Sequence, residues 1–263
     1  MKSNYPVMKG AGAFFFEGNE IGVLICHGFN GTPQSVRYLG ECLSEQGFTV
    51  YAPRLEGHGT DPHEMEKCHY KDWINSVKMA VNFLKSRCLE VFMIGQSMGG
   101  TLALTLASEN CCKLTGIITI NAALSVPGYE CFRHDFSKRF IPEDVPDIKQ
   151  ENVVEIVYDS VPTRAIRNLL ALMDQSLLKL SSISCPTLLL KSKIDHVVPP
   201  TCTDMIYNEI QSCQKRIVTL ENSYHVASLD HDRQKIVDDI IDFIHQHSSF
   251  SMNIVEISNS EER

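Results

Sequence analysis

The chain has 263 residues, 43% of them hydrophobic, and a formal net charge of -8. That apolar content suits one large core, and an acidic balance without a basic run excludes a nucleic-acid binder. No run reaches the length of a membrane span, so no integral membrane segment is expected, and Ala11–Phe16 is too short for an export signal. The ten cysteines, none in CxxC or zinc spacing, therefore read as reduced thiols of a cytoplasmic protein.

In chain order, an entry strand is expected around Ala13–Phe16, with a turn at Gly18-Asn19. Ile21–Cys26 is a near-continuous apolar run, the pattern of a strand buried on both faces. It ends at His27-Gly28-Phe29-Asn30-Gly31. A helix follows from Thr32-Pro33, with proline in its first turn and Val36, Leu39 and Leu43 at helical spacing. Phe48–Ala52 reads as a strand. Gly57-His58-Gly59 then forms a rigid turn, and His27 and His58 are expected to bond backbone rather than act as bases. Asp61–His69 is a polar excursion; its histidines and Cys68 lack ligand spacing, so no metal is expected. A further helix opens at Asp72-Trp73-Ile74.

Val91–Ile94 is the next strand, and Leu102–Ala107 a helix. Between them stands Gly95-Gln96-Ser97-Met98-Gly99. Gly-x-Ser-x-Gly between a strand and a helix is the nucleophile elbow of an α/β-hydrolase. The glycines allow strand and helix to cross closely while the serine takes a strained positive φ. The helix points its free N–H groups and positive dipole end at the site of a developing oxyanion. In this fold the loop after the third strand, here Ile21–Cys26, supplies a second N–H. The expected oxyanion-hole donors are thus Phe29 and Met98.

Gly116–Ile120 is another buried strand, after which the strand–helix rhythm breaks. The stretch 122–182 carries Pro127, Pro142, Pro146 and Pro162, then an amphipathic helix from Thr163 to about Leu180. It is expected to be a cap inserted after strand six. Its apolar side, Leu169 and Leu170 included, is expected to hold an acyl chain, to seat the cap on the core, or to do both. The core is then 1–121 plus 183–247, and 248–263 a mobile tail. Cys185–Lys191 restores the strand pattern, Thr201–Ile210 is a helix, Lys215–Leu220 the last strand and Arg233–Gln246 the last helix.

Ser97, Asp195 and His225 occur in the order Ser…Asp…His of this fold, with Asp195 and His225 each expected at the C-terminal end of a strand. The rivals are worse placed: Asp174 and Asp204 lie on helices, and His231, His245 and His247 lie at the ends of the last helix. His196, beside Asp195, is expected to be structural. The triad needs no cofactor. A carboxylate-nucleophile hydrolase is excluded by serine at 97, and an intact triad argues against a noncatalytic ligand-binding α/β-hydrolase.

The motifs His27-Gly28-Phe29, Gly57-His58-Gly59-Thr60, Lys71-Asp72-Trp73, Gly95–Thr101, Ile120-Asn121-Ala122-Ala123, Asp195–Pro200 and Asn222–Val226 together resemble the bacterial monoacylglycerol lipase and thermostable carboxylesterase family, over residues 20–247. The resemblance implies an α/β-hydrolase fold: a mostly parallel central sheet, helices on both faces, a small cap. It implies a serine hydrolase acting on a small-molecule ester with one acyl chain, a monoacylglycerol or, alternatively, the short- and medium-chain esters of a broad carboxylesterase. It implies Ser97, Asp195 and His225 as triad, Phe29 and Met98 as oxyanion donors, and Glu155 near the polar head of the substrate.

Overall fold

A computed structural model describes residues 5–109 and 113–250. Cys111, Cys112 and residues 251–263 of the expected tail lie outside the described residues.

The main sheet has seven strands. They are β1 (Phe14–Phe16), β2 (Ile21–Cys26), β3 (Thr49–Ala52), β4 (Glu90–Gln96), β5 (Gly116–Ile120), β8 (Thr187–Ser192) and β9 (Lys215–Leu220). The order is β1-β3-β2-β4-β5-β8-β9, and every pairing is parallel except β1 with β3. The apolar runs are central because both their faces are covered. In β4, Val91 and Met93 face one hydrophobic cluster while Phe92 and Ile94 face the other. β2 divides the same way, with Leu24 and Cys26 against Val23 and Ile25. One cluster is completed by α1 (Arg37–Glu45) and α7 (Arg233–His247). The other is completed by α3 (Tyr70–Lys85), α4 (Met98–Ser108) and α6 (Thr201–Glu209). This doubly covered parallel sheet is the α/β-hydrolase architecture.

Several expectations need correction. Among the described residues Ile21–Cys26 is the second strand, not the third, and the 122–182 segment follows the fifth strand, not the sixth. β1 is the edge strand of the sheet, and among the described residues no strand precedes it. The polar excursion contains α2 (Pro62–Lys67), capped by Asp61, whose carboxylate accepts the His63 N–H at 2.8 Å. Asp followed by Pro was a readable start signal. α3 begins at Tyr70, two residues before the expected opening. His69 is its N-cap, and Asp72 is the acid that completes a capping box by accepting the His69 N–H at 2.8 Å. Ser249, assigned to the tail, is docked: its N–H and hydroxyl both donate to Glu90.

Residues 122–182 stand apart from the main sheet. They hold a 3-10 turn at Pro127–Arg133 and a two-stranded antiparallel pair, β6 (Phe140–Pro142) and β7 (Ser160–Pro162). They end with α5 (Thr163–Leu177) and a short 3-10 turn. The small pair was not anticipated; three-residue strands that end in proline show no alternation to read. α5 buries Ala165, Ile166, Leu169, Leu170, Leu172 and Met173 in the cluster it shares with α3 and α4. At about 25 cal/mol per Å², burying each of the larger side chains contributes roughly 2 kcal/mol to seating the segment.

Candidate active site

Ser97 lies between β4 and α4 with φ 54° and ψ −118°. Side chains rarely adopt this region, and the surroundings over-determine it. A Cβ on Gly95 would collide with the carbonyl of Gly99, and one on Gly99 with the carbonyl of Cys26. The Ser97 N–H is tied to Ile120 and its carbonyl receives Ala123 and Thr101. The serine is thus fixed by its own helix and by the end of β5.

The Ser97 hydroxyl is 2.9 Å from His225 Nε2, and His225 Nδ1 is 2.8 Å from Asp195 Oδ2. The other Asp195 oxygen accepts the N–H groups of Val197 and Val198 at 2.9 and 2.8 Å. The Asp195 side chain is only 1% exposed. Such a carboxylate must stay hydrogen-bonded, and these donors fix which face it turns to the imidazole. The His225 carbonyl accepts from the Asn121 side chain at 2.9 Å, which also bonds the Ser192 hydroxyl. Asn121 has φ 48° and so turns at the end of β5 to reach both partners. Ser97, Asp195 and His225 follow β4, β8 and β9, all at the carboxyl edge of the parallel sheet, where ligands bind.

Gly28 packs against Ser97; a Cβ there would stand 3.3 Å from the Ser97 Cβ. Phe29 is next in the chain, and Met98 opens α4 beside the serine. His27 and His58 do not face the nucleophile's hydrogen bonds. His27 Nδ1 lies 2.9 Å from the Gly28 carbonyl and its Nε2 accepts the Leu55 N–H; His58 Nδ1 lies 3.0 Å from the Glu56 carbonyl. Burial pushes His27 down to about 4 and His58 well below the ordinary imidazole range, so both are neutral at pH 7.

A cavity of about 230 Å³ opens on the Ser97–His225 pair. It is lined by apolar side chains, Phe29, Tyr129, Ile141 and Leu169 among them, and by the carboxylates of Glu143, Asp147 and Glu155. Leu169 lines the cavity and Leu170, about 100° further round α5, does not, while both pack in the hydrophobic cluster shared with α3 and α4. Glu155 reaches this site from far along the chain, and Gly31 leaves room for it, since a Cβ there would lie 2.9 Å from Glu155 Oε1. Burial raises the Glu155 carboxyl to about 7, against the opposing pull of His225 and the Ser35 hydroxyl. Glu143, which the sequence did not single out, is also raised to about 7, first by burial and then by the charges of Glu155 and Asp144, with the Asn30 amide opposing. Among the described residues no cluster of three or more His, Cys, Asp or Glu side chains is arranged to hold a metal.

Comparison with known proteins shows the family of the chain. The family Hydrolase_4, described as serine aminopeptidase S33, matches residues 19–150 and 137–232. The chain belongs to this family. It is 42% identical to a thermostable monoacylglycerol lipase of Bacillus sp. (strain H-257) over 94% of this chain and 100% of that one. It is 29% identical to a carboxylesterase of Bacillus subtilis (strain 168), over 88% and 95% of the two chains. A solved structure from the metagenome-derived lipolytic enzymes LipS and LipT superposes with a TM-score of 0.89 at 40% identity, covering 92% of this chain and all of that one. The fold extends to a monoglyceride lipase of Saccharomyces cerevisiae, with TM-score 0.78 at 19% identity over 94% of each chain. The protein is a serine hydrolase with ester-hydrolase relatives. No helix among the described residues is long and apolar enough to cross a membrane.

Proposed function

We propose that the protein cleaves monoacylglycerols to glycerol and fatty acid through an acyl-enzyme on Ser97. The observation that carries this reading is the continuous chain Ser97 Oγ, His225 Nε2, His225 Nδ1, Asp195 Oδ2, with links of 2.9 and 2.8 Å, opening on a cavity lined by both apolar and polar side chains. Ser97 attacks the ester carbon while His225 takes its proton. Asp195 holds the imidazole tautomer and stabilises the imidazolium. The N–H groups of Phe29 and Met98 receive the oxyanion, worth several kcal/mol of barrier for such a pair. His225 then protonates the departing alcohol, and water activated by the same imidazole releases the acid.

Residues 122–182 act as the cap over this site, and the remainder of 1–121 and 183–247 as the core. Phe29 and Leu169 support an apolar berth for a single acyl chain. Glu155, which also lines the cavity, supports binding of the alcohol hydroxyls, because a carboxyl raised to about 7 can accept or donate near neutrality. The monoacylglycerol lipase of Bacillus sp. (strain H-257), matched from end to end, favours this substrate over the simpler esters of a carboxylesterase. A cytoplasmic location is consistent with Cys26 and Cys68, unpaired thiols that burial pushes up to about 12 and so makes unreactive.

The test is turnover of a 1-monoacylglycerol series beside matched p-nitrophenyl esters, by wild type and Ser97→Ala. The reading expects efficient monoacylglycerol turnover that Ser97→Ala abolishes. Turnover of short p-nitrophenyl esters alone would make it a broad carboxylesterase, and turnover by neither would sink the hydrolase reading.

A further inference from the structure

Asp147 lies between β6 and β7, in a stretch where the sequence offers no motif. Its side chain is only 16% exposed. Oδ2 accepts the backbone N–H of His196 at 3.1 Å and that of His225 at 3.2 Å. Oδ1 lies 2.7 Å from His196 Nδ1, and the Asp147 carbonyl accepts the Val226 N–H at 3.1 Å. His196 is the residue directly after Asp195. A single carboxylate of the 122–182 segment therefore ties the loop that carries the triad acid to the loop that carries the triad base. Asp147 touches neither Ser97 nor the His225 ring by any of these bonds. It acts on the backbone from which the ring projects.

The His225 main chain is held at two points. Its carbonyl is held by Asn121, at the end of β5, and its N–H by Asp147. The first anchor belongs to the sheet; the second does not. The imidazole must satisfy Ser97 and Asp195 together, and displacement of about 1 Å can cost about 100-fold in rate. Building on the serine-hydrolase reading above, we propose that Asp147 is a positioning residue for the triad: a clamp through which docking of the 122–182 segment aligns His225 with Asp195 and Ser97. Nucleophile activation thereby depends on a segment that supplies none of the three triad groups.

The experiment separates alignment from substrate binding and from stability. A small alkyl fluorophosphonate without a polar head phosphonylates an activated serine, and its second-order rate reads the triad alone. It is measured for wild type, Asp147→Ala, Asp147→Asn and Asp147→Glu, with kcat and KM for p-nitrophenyl butyrate, well below each variant's Tm. Asp147→Ala is expected to slow phosphonylation and kcat by about 10- to 100-fold, with KM within about threefold. Asp147→Asn is expected to recover most of the rate, because its amide oxygen accepts both N–H groups while its NH2 faces His196 Nδ1. If Asp147→Ala does not fold, Asp147→Glu carries the test: it keeps the charge but moves the carboxylate by one methylene and is expected to slow phosphonylation too. A folded Ala or Glu variant phosphonylated at the wild-type rate overturns the clamp. So does a rise confined to KM, or an Asn variant as slow as Ala. Phosphonylation of Ser97→Ala would overturn the hydrolase reading instead, whatever Asp147 does.

Discussion

The sheet core is held mainly by apolar burial, the 122–182 segment by apolar burial and long-range polar ties together. β2, β4, β5 and β8 are buried apolar strands whose successive side chains divide between two hydrophobic clusters. Their order and burial follow from runs of four to six neighbouring residues. The segment buries one face of α5 and adds Leu124, Val126, Tyr158 and Val161 to the same cluster, but it is also held by polar, long-range ties: Asp147 to residues 196 and 225, Gln34 to 154 and 156, Asn30 to 158. The firmest of these ties is Asp230. It is fully buried, and its carboxylate accepts four backbone N–H groups, from Lys149 and Gln150 in the segment and from Tyr224 and His231 in the chain after β9. Continuous apolar burial makes an element that stands on its own pattern. Scattered polar anchors make one whose place is set by its partners.

The largest effect tests the core side of the comparison. Ser97→Ala is expected to lower kcat by about 10⁴- to 10⁶-fold with little change in Tm, read by ester hydrolysis and thermal unfolding. Next, Gly95→Ala places a methyl against the Gly99 carbonyl, where backbone must shift. It is expected to destabilise by about 4 kcal/mol or more, measured by urea unfolding. A cost under about 1 kcal/mol would mean that strand and helix are not held in so close a crossing.

Asp230→Ala should separate the two regions. Four N–H groups lose their acceptor, costing about 2–4 kcal/mol. The loss should concentrate in the segment and the His225 loop, so hydrogen exchange should rise at Lys149, Gln150 and Tyr224 while β4 and β5 keep their protection. Uniform loss of protection would show that segment and core unfold as one unit.

The smallest effect concerns the cavity carboxyls. Glu143 and Glu155 both rise to about 7 from 4.5, so between these values the folded state binds more protons than the unfolded state. Their contribution to stability is therefore full below about pH 4.5 and is lost as pH rises through about 7. Glu155→Gln and Glu143→Gln should each flatten that slope, gaining roughly 1–3 kcal/mol at pH 8 after allowing for partial exposure and little at pH 4.5. Tm against pH reads this directly; a steeper slope in either variant contradicts the assignment.

What was legible divides along the same line. Ser97, Asp195 and His225 follow apolar strands, so the three residues that the fold joins in one hydrogen-bonded chain could be found from local pattern and chain order. Phe29 and Met98 came from their places beside the elbow. α2 shows in the sequence only through Asp61-Pro62, because its six residues carry too little apolar pattern. β6 and β7 pair across a gap that no local signal bridges. Asp147, Glu143 and Asp230 look like ordinary solvated acids in the sequence; only the folded chain shows what their carboxylates face. Leu169 and Leu170 were equivalent as letters, and the turn of α5 decides between them.

The central claim is that Ser97, activated by His225, carries the acyl group. Its most direct measurement is the intact mass and peptide map of the protein quenched during hydrolysis of a p-nitrophenyl ester. The account predicts one acyl adduct, on the peptide containing Ser97, absent from Ser97→Ala and formed far more slowly by His225→Ala. Burst release of p-nitrophenol without an adduct at Ser97, or an adduct that persists in Ser97→Ala, would contradict it.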